Sequence, residues 1–132
     1  MNQDRRRNPG KHRSILSADL ELRTTRRLIE LYGPEDPEAI SRCRQALQHN
    51  PDFADGWYTL GIFRHQQKEY GEAISALTGC VRQEPVWAET WYALGVAHLA
   101  QGDGVHAKEI YRRLCKLVVT QARTFLRREM RR

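Results

Sequence analysis

Trp-Tyr-Thr-Leu-Gly at residues 57–61 returns as Trp-Tyr-Ala-Leu-Gly at residues 91–95, a shift of 34 positions in a chain of 132. Self-similarity at a fixed period of this length marks stacked supersecondary units and overrides shorter-range patterns. The match extends beyond the pentapeptide. Ala39, Ala73 and Ala107 stand 16 positions after Arg23, Trp57 and Trp91, and Pro51 and Pro85 stand 28 positions after Arg23 and Trp57. Three windows follow: 20–53, 54–87 and 88–121.

Trp, Leu, Gly, Ala and Pro at these offsets resemble the tetratricopeptide repeat (TPR) family, whose unit is a 34-residue helix-turn-helix. The likeness is strongest in the second and third windows. The first is degenerate, with Arg23, Arg26 and Arg27 where Trp, Leu and Gly would stand, and the third has Val119 in place of the closing proline. The resemblance implies an all-α, right-handed solenoid of three helix pairs, and a C-terminal capping helix completes the expected fold.

The physics of the pattern points the same way. Gly61 and Ala73 remove bulk where two helices of a hairpin cross, and that packing must offset about 1 kcal/mol of lost helix propensity at the glycine. Leu60 and Leu77 lie on apolar stripes at helical spacing. A single hairpin cannot bury such a face, so a neighbour must stack on it. Ser17 is the expected N-cap of a helix ended by Gly33-Pro34; Asp36-Pro37 starts the next. Asp52 is expected to cap a helix reaching about Gln66, and a turn near Lys68 leads into a helix from about Tyr70 to Gln83. Further helices are expected from about Val86 to Ala100 and from about Val105 to Leu117. Residues 1–16 are read as a basic disordered arm, 17–121 as the repeats, and 122–132 as a separate basic helix. Its apolar face, Ala122, Phe125, Leu126 and Met130, would cap the stack.

Charge is unevenly spread. Five Lys/Arg oppose one acid in residues 1–13, eight oppose one in residues 112–132, and nine oppose fourteen between them, within a net charge of +6. Basic ends can hold nucleic acid or anionic lipid, and they also keep a protein in solution. Three cysteines without paired short spacing argue for a reducing compartment, here the cytoplasm, and against a disulfide framework or a zinc site. No apolar run is long enough to span a membrane, and the charged N-terminus lacks the apolar segment of a secretory signal.

Catalytic chemistry finds little support. Cys43, Cys80 and Cys115 fall on the second helices of the hairpins, where a buried thiol behaves as a small inert hydrophobe. His65, His98 and His106 form no pair at metal-ligand spacing on one helix face. No cofactor, catalytic residue or metal site is therefore expected.

What stacked hairpins do create is a concave face. The family lines it from positions one, five and eight residues after the Trp, which also form one helical stripe. They are Tyr58, Ile62 and His65, then Tyr92, Val96 and Leu99, with Thr24, Leu28 and Leu31 in the degenerate first repeat; Asp55 and Glu89 border the stripe. The resemblance implies a Lys, Arg and Asn clamp at the first two of these slots in members that grip acidic chaperone tails, and that clamp is absent. The lining suits an apolar or amphipathic peptide or helix of another protein, as in an adaptor or a small chaperone. Two competing readings are nucleic-acid binding through Arg5, Arg6, Arg7, Arg127, Arg128, Arg131 and Arg132, and a self-associating scaffold in which basic ends meet acidic repeat bodies.

Overall fold

The computed structural model describes the backbone of residues 9–131 and the side chains from residue 19 onward. Among the described residues six α-helices follow one another: α1 (Pro9–Tyr32), α2 (Pro37–His49), α3 (Ala54–Gln66), α4 (Tyr70–Gln83), α5 (Ala88–Ala100) and α6 (Gly104–Met130), with a 3-10 turn at Gly33–Glu35. No strand occurs among the described residues. Each helix packs on the next to form three hairpins, and α4 packing on α5 joins the second hairpin to the third.

The repeat period is legible in backbone detail. In the turn of the second hairpin Lys68 has φ +62°, and at the same place in the third hairpin Gly102 has φ +87°. The Glu69 amide donates to the Arg64 carbonyl and the Asp103 amide to the His98 carbonyl, both at 2.9 Å. Trp57 Nε1 donates to the Pro51 carbonyl at 2.6 Å, and Trp91 Nε1 to the Pro85 carbonyl at 2.7 Å. Each tryptophan thus ties its helix to the proline segment closing the hairpin before it, and the indole N–H finds the partner it needs.

Two buried clusters run along the stack. Ala46, Leu47 and Phe53 gather Leu22, Ile29, Trp57 and Leu60 where the first hairpin meets the second. Leu77, Leu94, Ala97 and Ile110 gather Tyr58, Ile74, Val81, Trp91 and Ala93 where the second meets the third. In the degenerate repeat the arginines do not enter the core. Arg26 lies over the Phe53 ring, 5.3 Å from its centroid, and pairs with Asp55 at 2.8 Å.

The structure corrects three boundaries. First, α1 begins at Pro9, so Ser17 lies inside the helix and residues 9–16 are not an irregular arm. Proline is tolerated at the first helical position, and no glycine or proline after Gly10 interrupts the run. Second, the N-cap of α3 is Phe53 rather than Asp52, with no side-chain cap; Asp36 does cap α2, accepting from the Ala39 amide. Third, residues 118–130 continue α6 instead of forming a separate capping helix. The proline that would stop this helix is Val119, and nothing else in "LVVTQARTF" breaks it. Phe125, Leu126 and Met130 are exposed and cap nothing. Residues 1–8, which include Arg5, Arg6 and Arg7, and Arg132 lie outside the described residues.

Candidate peptide-binding surface

Helices α3 and α5 face one side of the stack, and each presents one stripe. Tyr58, Ile62 and His65 project from α3; Tyr92, Val96 and Leu99 project from α5, at offsets of four and three residues that place them in line. Between the stripes lies a cleft of about 230 Å³ lined by Tyr58, Ile62, His65, Leu77, Glu89, Tyr92, Ala93 and Val96. A second cleft, about 380 Å³, opens on the last hairpin, where Trp91, Tyr92, Gly95, Val96 and Leu99 of α5 face Ala107, Lys108, Ile110, Tyr111 and Leu114 of α6. Tyr92 and Val96 belong to both. All six stripe residues of the second and third repeats therefore line one continuous apolar surface.

The degenerate first repeat contributes no residue to these two clefts: Thr24, Leu28 and Leu31, expected on the same face, are absent from both. Thr24 turns its hydroxyl back to the Leu20 carbonyl at 2.8 Å. Asp55, expected at the border of the stripe, is held instead by Arg26.

Polar groups are few in the inner cleft. His65 Nε2 is buried without a hydrogen-bond partner in the protein, while its ring meets Tyr70 edge-on at 5.3 Å. A buried ring nitrogen left unpaired is uncommon. One convergent polar group in an apolar cleft is also what orients a ligand. Burial pushes the Tyr58 hydroxyl above its usual range, and the carboxylate of Glu89 and the thiol of Cys80 add to the shift; the phenol stays a neutral donor. In the outer cleft Lys108 and Arg112 supply positive charge at the rim.

The reading of spacing missed the α6 side of the outer cleft. Tyr111 holds the slot in the third repeat that Leu77 holds in the second. Leu77 is fully buried under α5, whereas Tyr111 is 64% exposed, because among the described residues no helix follows α6 to cover it. Translating the buried faces of one repeat onto the next would have found this. It also missed His98, Asp103 and His106, which meet across the α5–α6 turn rather than along one helix face. The buried cysteines offer no nucleophile. Cys43 and Cys80 lie in the core; burial, then Asp55, pushes the Cys43 thiol up to about 11, and burial likewise raises Cys80.

Comparison with known proteins agrees with this geometry. Residues 43–75 match the family model described as "Tetratricopeptide repeat". The chain has the tetratricopeptide-repeat fold. Solved structures of MamA superpose with TM-scores of 0.67 and 0.65 at 19% identity, each covering 80% of this chain. This chain spans 61% and 57% of those two MamA chains. The second TPR of Spaghetti (RPAP3), bound to the HSP90 peptide SRMEEVD, superposes with a TM-score of 0.62 at 16% identity, over 76% of this chain and 91% of its own. YrrB, a TPR protein with an unusual peptide-binding site, gives 0.60 at 20% identity, over 76% of this chain and 50% of its own. No curated protein matches the sequence. The second and third TPR units, α3–α4 and α5–α6, carry the two clefts, and no described helix is long and apolar enough to cross a membrane.

Proposed function

We propose that this TPR chain is a non-catalytic protein-interaction module that seats an amphipathic helix of another protein on its apolar surface, as an adaptor or chaperone in the cytoplasm. One observation carries the reading. Tyr92, Gly95, Val96, Leu99, Ala107 and Tyr111 stand one repeat period after Tyr58, Gly61, Ile62, His65, Ala73 and Leu77. Against the earlier set lies α5, whose Leu94 and Ala97 share a buried cluster with Leu77; against the later set lies the open outer cleft. The open face is a copy of a face that already binds a helix.

The same comparison describes the ligand. A helix like α5 offers small residues and one leucine, as Ala93, Leu94 and Ala97 do, and anchors of that kind at helical spacing are how grooves read amphipathic helices. Bound peptide in the RPAP3 TPR and a peptide-binding site in YrrB support peptide binding as a use of this fold. The acidic HSP90 peptide is a poor guide to the ligand here, since Tyr58, Ile62, Tyr92 and Val96 provide no cationic clamp. An exposed apolar surface of this kind usually marks an interface.

The test uses a labelled synthetic peptide of residues 86–101, which contains α5. Fluorescence anisotropy with the full-length chain is expected to show saturable binding. Tyr92→Ala combined with Tyr111→Ala should weaken it, as should replacing Leu94 and Ala97 in the peptide by aspartate. Binding indifferent to all of these changes refutes the reading.

A further inference from the structure

We propose that the turn between α5 and α6 is a binding site for a divalent transition metal of the zinc type, with His98, Asp103 and His106 as its protein ligands. The ligand atoms of the three residues all lie within 4.8 Å of one another. His106 Nδ1 is 2.6 Å from Asp103 Oδ2, and His98 Nδ1 is 3.5 Å from the same oxygen. Ligands bound tetrahedrally at about 2.0–2.1 Å from zinc are separated by about 3.4 Å. The His98–Asp103 pair already has that spacing. The His106–Asp103 pair has to open by less than about 1 Å to reach it, which a ring 64% exposed at its side chain can do by rotating.

The preceding repeat explains why three groups converge here. Residues 98, 103 and 106 stand 34 positions after Arg64, Glu69 and Glu72. In the second hairpin those three form a closed clasp across the turn, with the Arg64 guanidinium 2.6 Å from Glu69 and 3.1 Å from Glu72. In the third hairpin the backbone is the same, but the built-in cation is gone. A carboxylate now lies between two imidazoles. A metal ion would supply the positive charge that the guanidinium supplies one repeat earlier.

The side chains bear the marks of such a site. His98 Nδ1 is buried and makes no hydrogen bond within the protein, although its side chain is only 15% exposed. Its distance to Asp103 is that of an ion-pair contact and its angle is not that of a hydrogen bond. The two rings stack, with centroids 5.4 Å apart and planes 22° from parallel; because a ring nitrogen binds an ion in the plane of its ring, the exposed His106 ring has to turn out of this stack to share an ion with His98. Asp103 is fixed from behind. Its Oδ1 accepts the His106 amide as the N-cap of α6 at 3.2 Å, leaving Oδ2 turned to the rings, and a hydrogen bond of this kind orients a ligand for its metal. Two nitrogens and one oxygen suit zinc, nickel or copper over magnesium and calcium, which take oxygen ligands. Three protein ligands leave a coordination position for water or for a side chain of a bound partner.

Calorimetric titration of zinc chloride into the chelator-treated full-length chain is expected to show one ion bound per chain with a rise in Tm, and magnesium chloride no uptake. His106→Ala removes an exposed ring, and Asp103→Asn keeps an equally good N-cap; each should weaken zinc binding by more than about tenfold. Cys115→Ser, which removes the exposed thiol, should leave it unchanged. Absence of zinc uptake at neutral pH overturns the proposal. So does uptake that survives His106→Ala and Asp103→Asn together, or uptake lost with Cys115→Ser.

Discussion

Gly61 lies so close over Leu77 that a Cβ built on it would stand 2.6 Å from Leu77 Cγ and 2.7 Å from Cδ2. The leucine is fully buried and cannot retreat. Gly95 is the same letter in the next repeat, yet its Cβ would meet only Ile110 Cγ2, at 3.5 Å, an ordinary contact. Gly61→Ala is therefore expected to cost about 1–3 kcal/mol by overpacking. Gly95→Ala should be neutral or stabilising by up to about 1 kcal/mol through helix propensity. Urea denaturation of the two variants decides it; equal losses would refute the asymmetry.

The thiols divide by burial. Cys43, with its thiol pushed up to about 11, and Cys80, held 3.4 Å from the Thr90 hydroxyl, should be inert at pH near 8, whereas Cys115 is exposed. A colourimetric thiol reagent should titrate one thiol per native chain and three after denaturation. Cys115→Ser should abolish the native reaction.

Asp103 couples stability to pH. Its carboxyl is held below the usual carboxylate range first by the His106 amide it accepts, then by the His106 ring and the positive charge that the two imidazoles can carry. A depressed folded pKa means that the stability it contributes is present above the unfolded value of about 3.9 and is lost as pH falls through the lower folded value. In metal-free protein, wild type should melt above Asp103→Asn at pH about 6, and the difference should shrink once pH falls below the unfolded value of about 3.9. A gap that stays constant into acid would refute the coupling to this carboxylate's charge.

Every residue of α6 from 118 to 130 is exposed, with Gln121 Nε2 reaching the Val86 carbonyl as a link back to the stack. Removing residues 122–132 should therefore leave Tm unchanged and, since Phe125, Leu126 and Met130 are lost, reduce aggregation. Calorimetry and light scattering would check both. A fall in Tm would restore the capping role expected from the sequence.

Much of this was legible in the letters because one period governs both sequence and packing. The Trp, Gly, Ala and Pro offsets locate the hairpins, and the stripe after each Trp locates Tyr58, Ile62, His65, Tyr92, Val96 and Leu99. What the letters hide is neighbourhood. Gly61 and Gly95 read alike but differ because Leu77 sits at one crossing and Ile110 at the other. Leu77 and Tyr111 hold the same slot but differ because only one has a helix stacked on it. His98 and His106 lie eight residues apart, outside any single-helix ligand spacing, and only the turn at Gly102 folds them together.

The surface and the arginines of α6 make opposite demands on any partner. If an amphipathic helix docks on the two clefts, replacing Tyr92 and Tyr111 should cost on the order of 2 kcal/mol or more, because central aromatic anchors dominate such interfaces. Salt should matter little, since Lys108 and Arg112 lie only at the rim. If the basic helix end binds nucleic acid instead, neutralising Arg123, Arg127 and Arg128 should weaken binding while the tyrosine changes do nothing, and log affinity should fall steeply with log salt. The measurement is a salt series on a partner captured from the native host, with both variant sets side by side. The apolar reading expects a flat salt series and loss with the tyrosines; loss confined to the arginines, with collapse in moderate salt, would move the binding site to the end of α6.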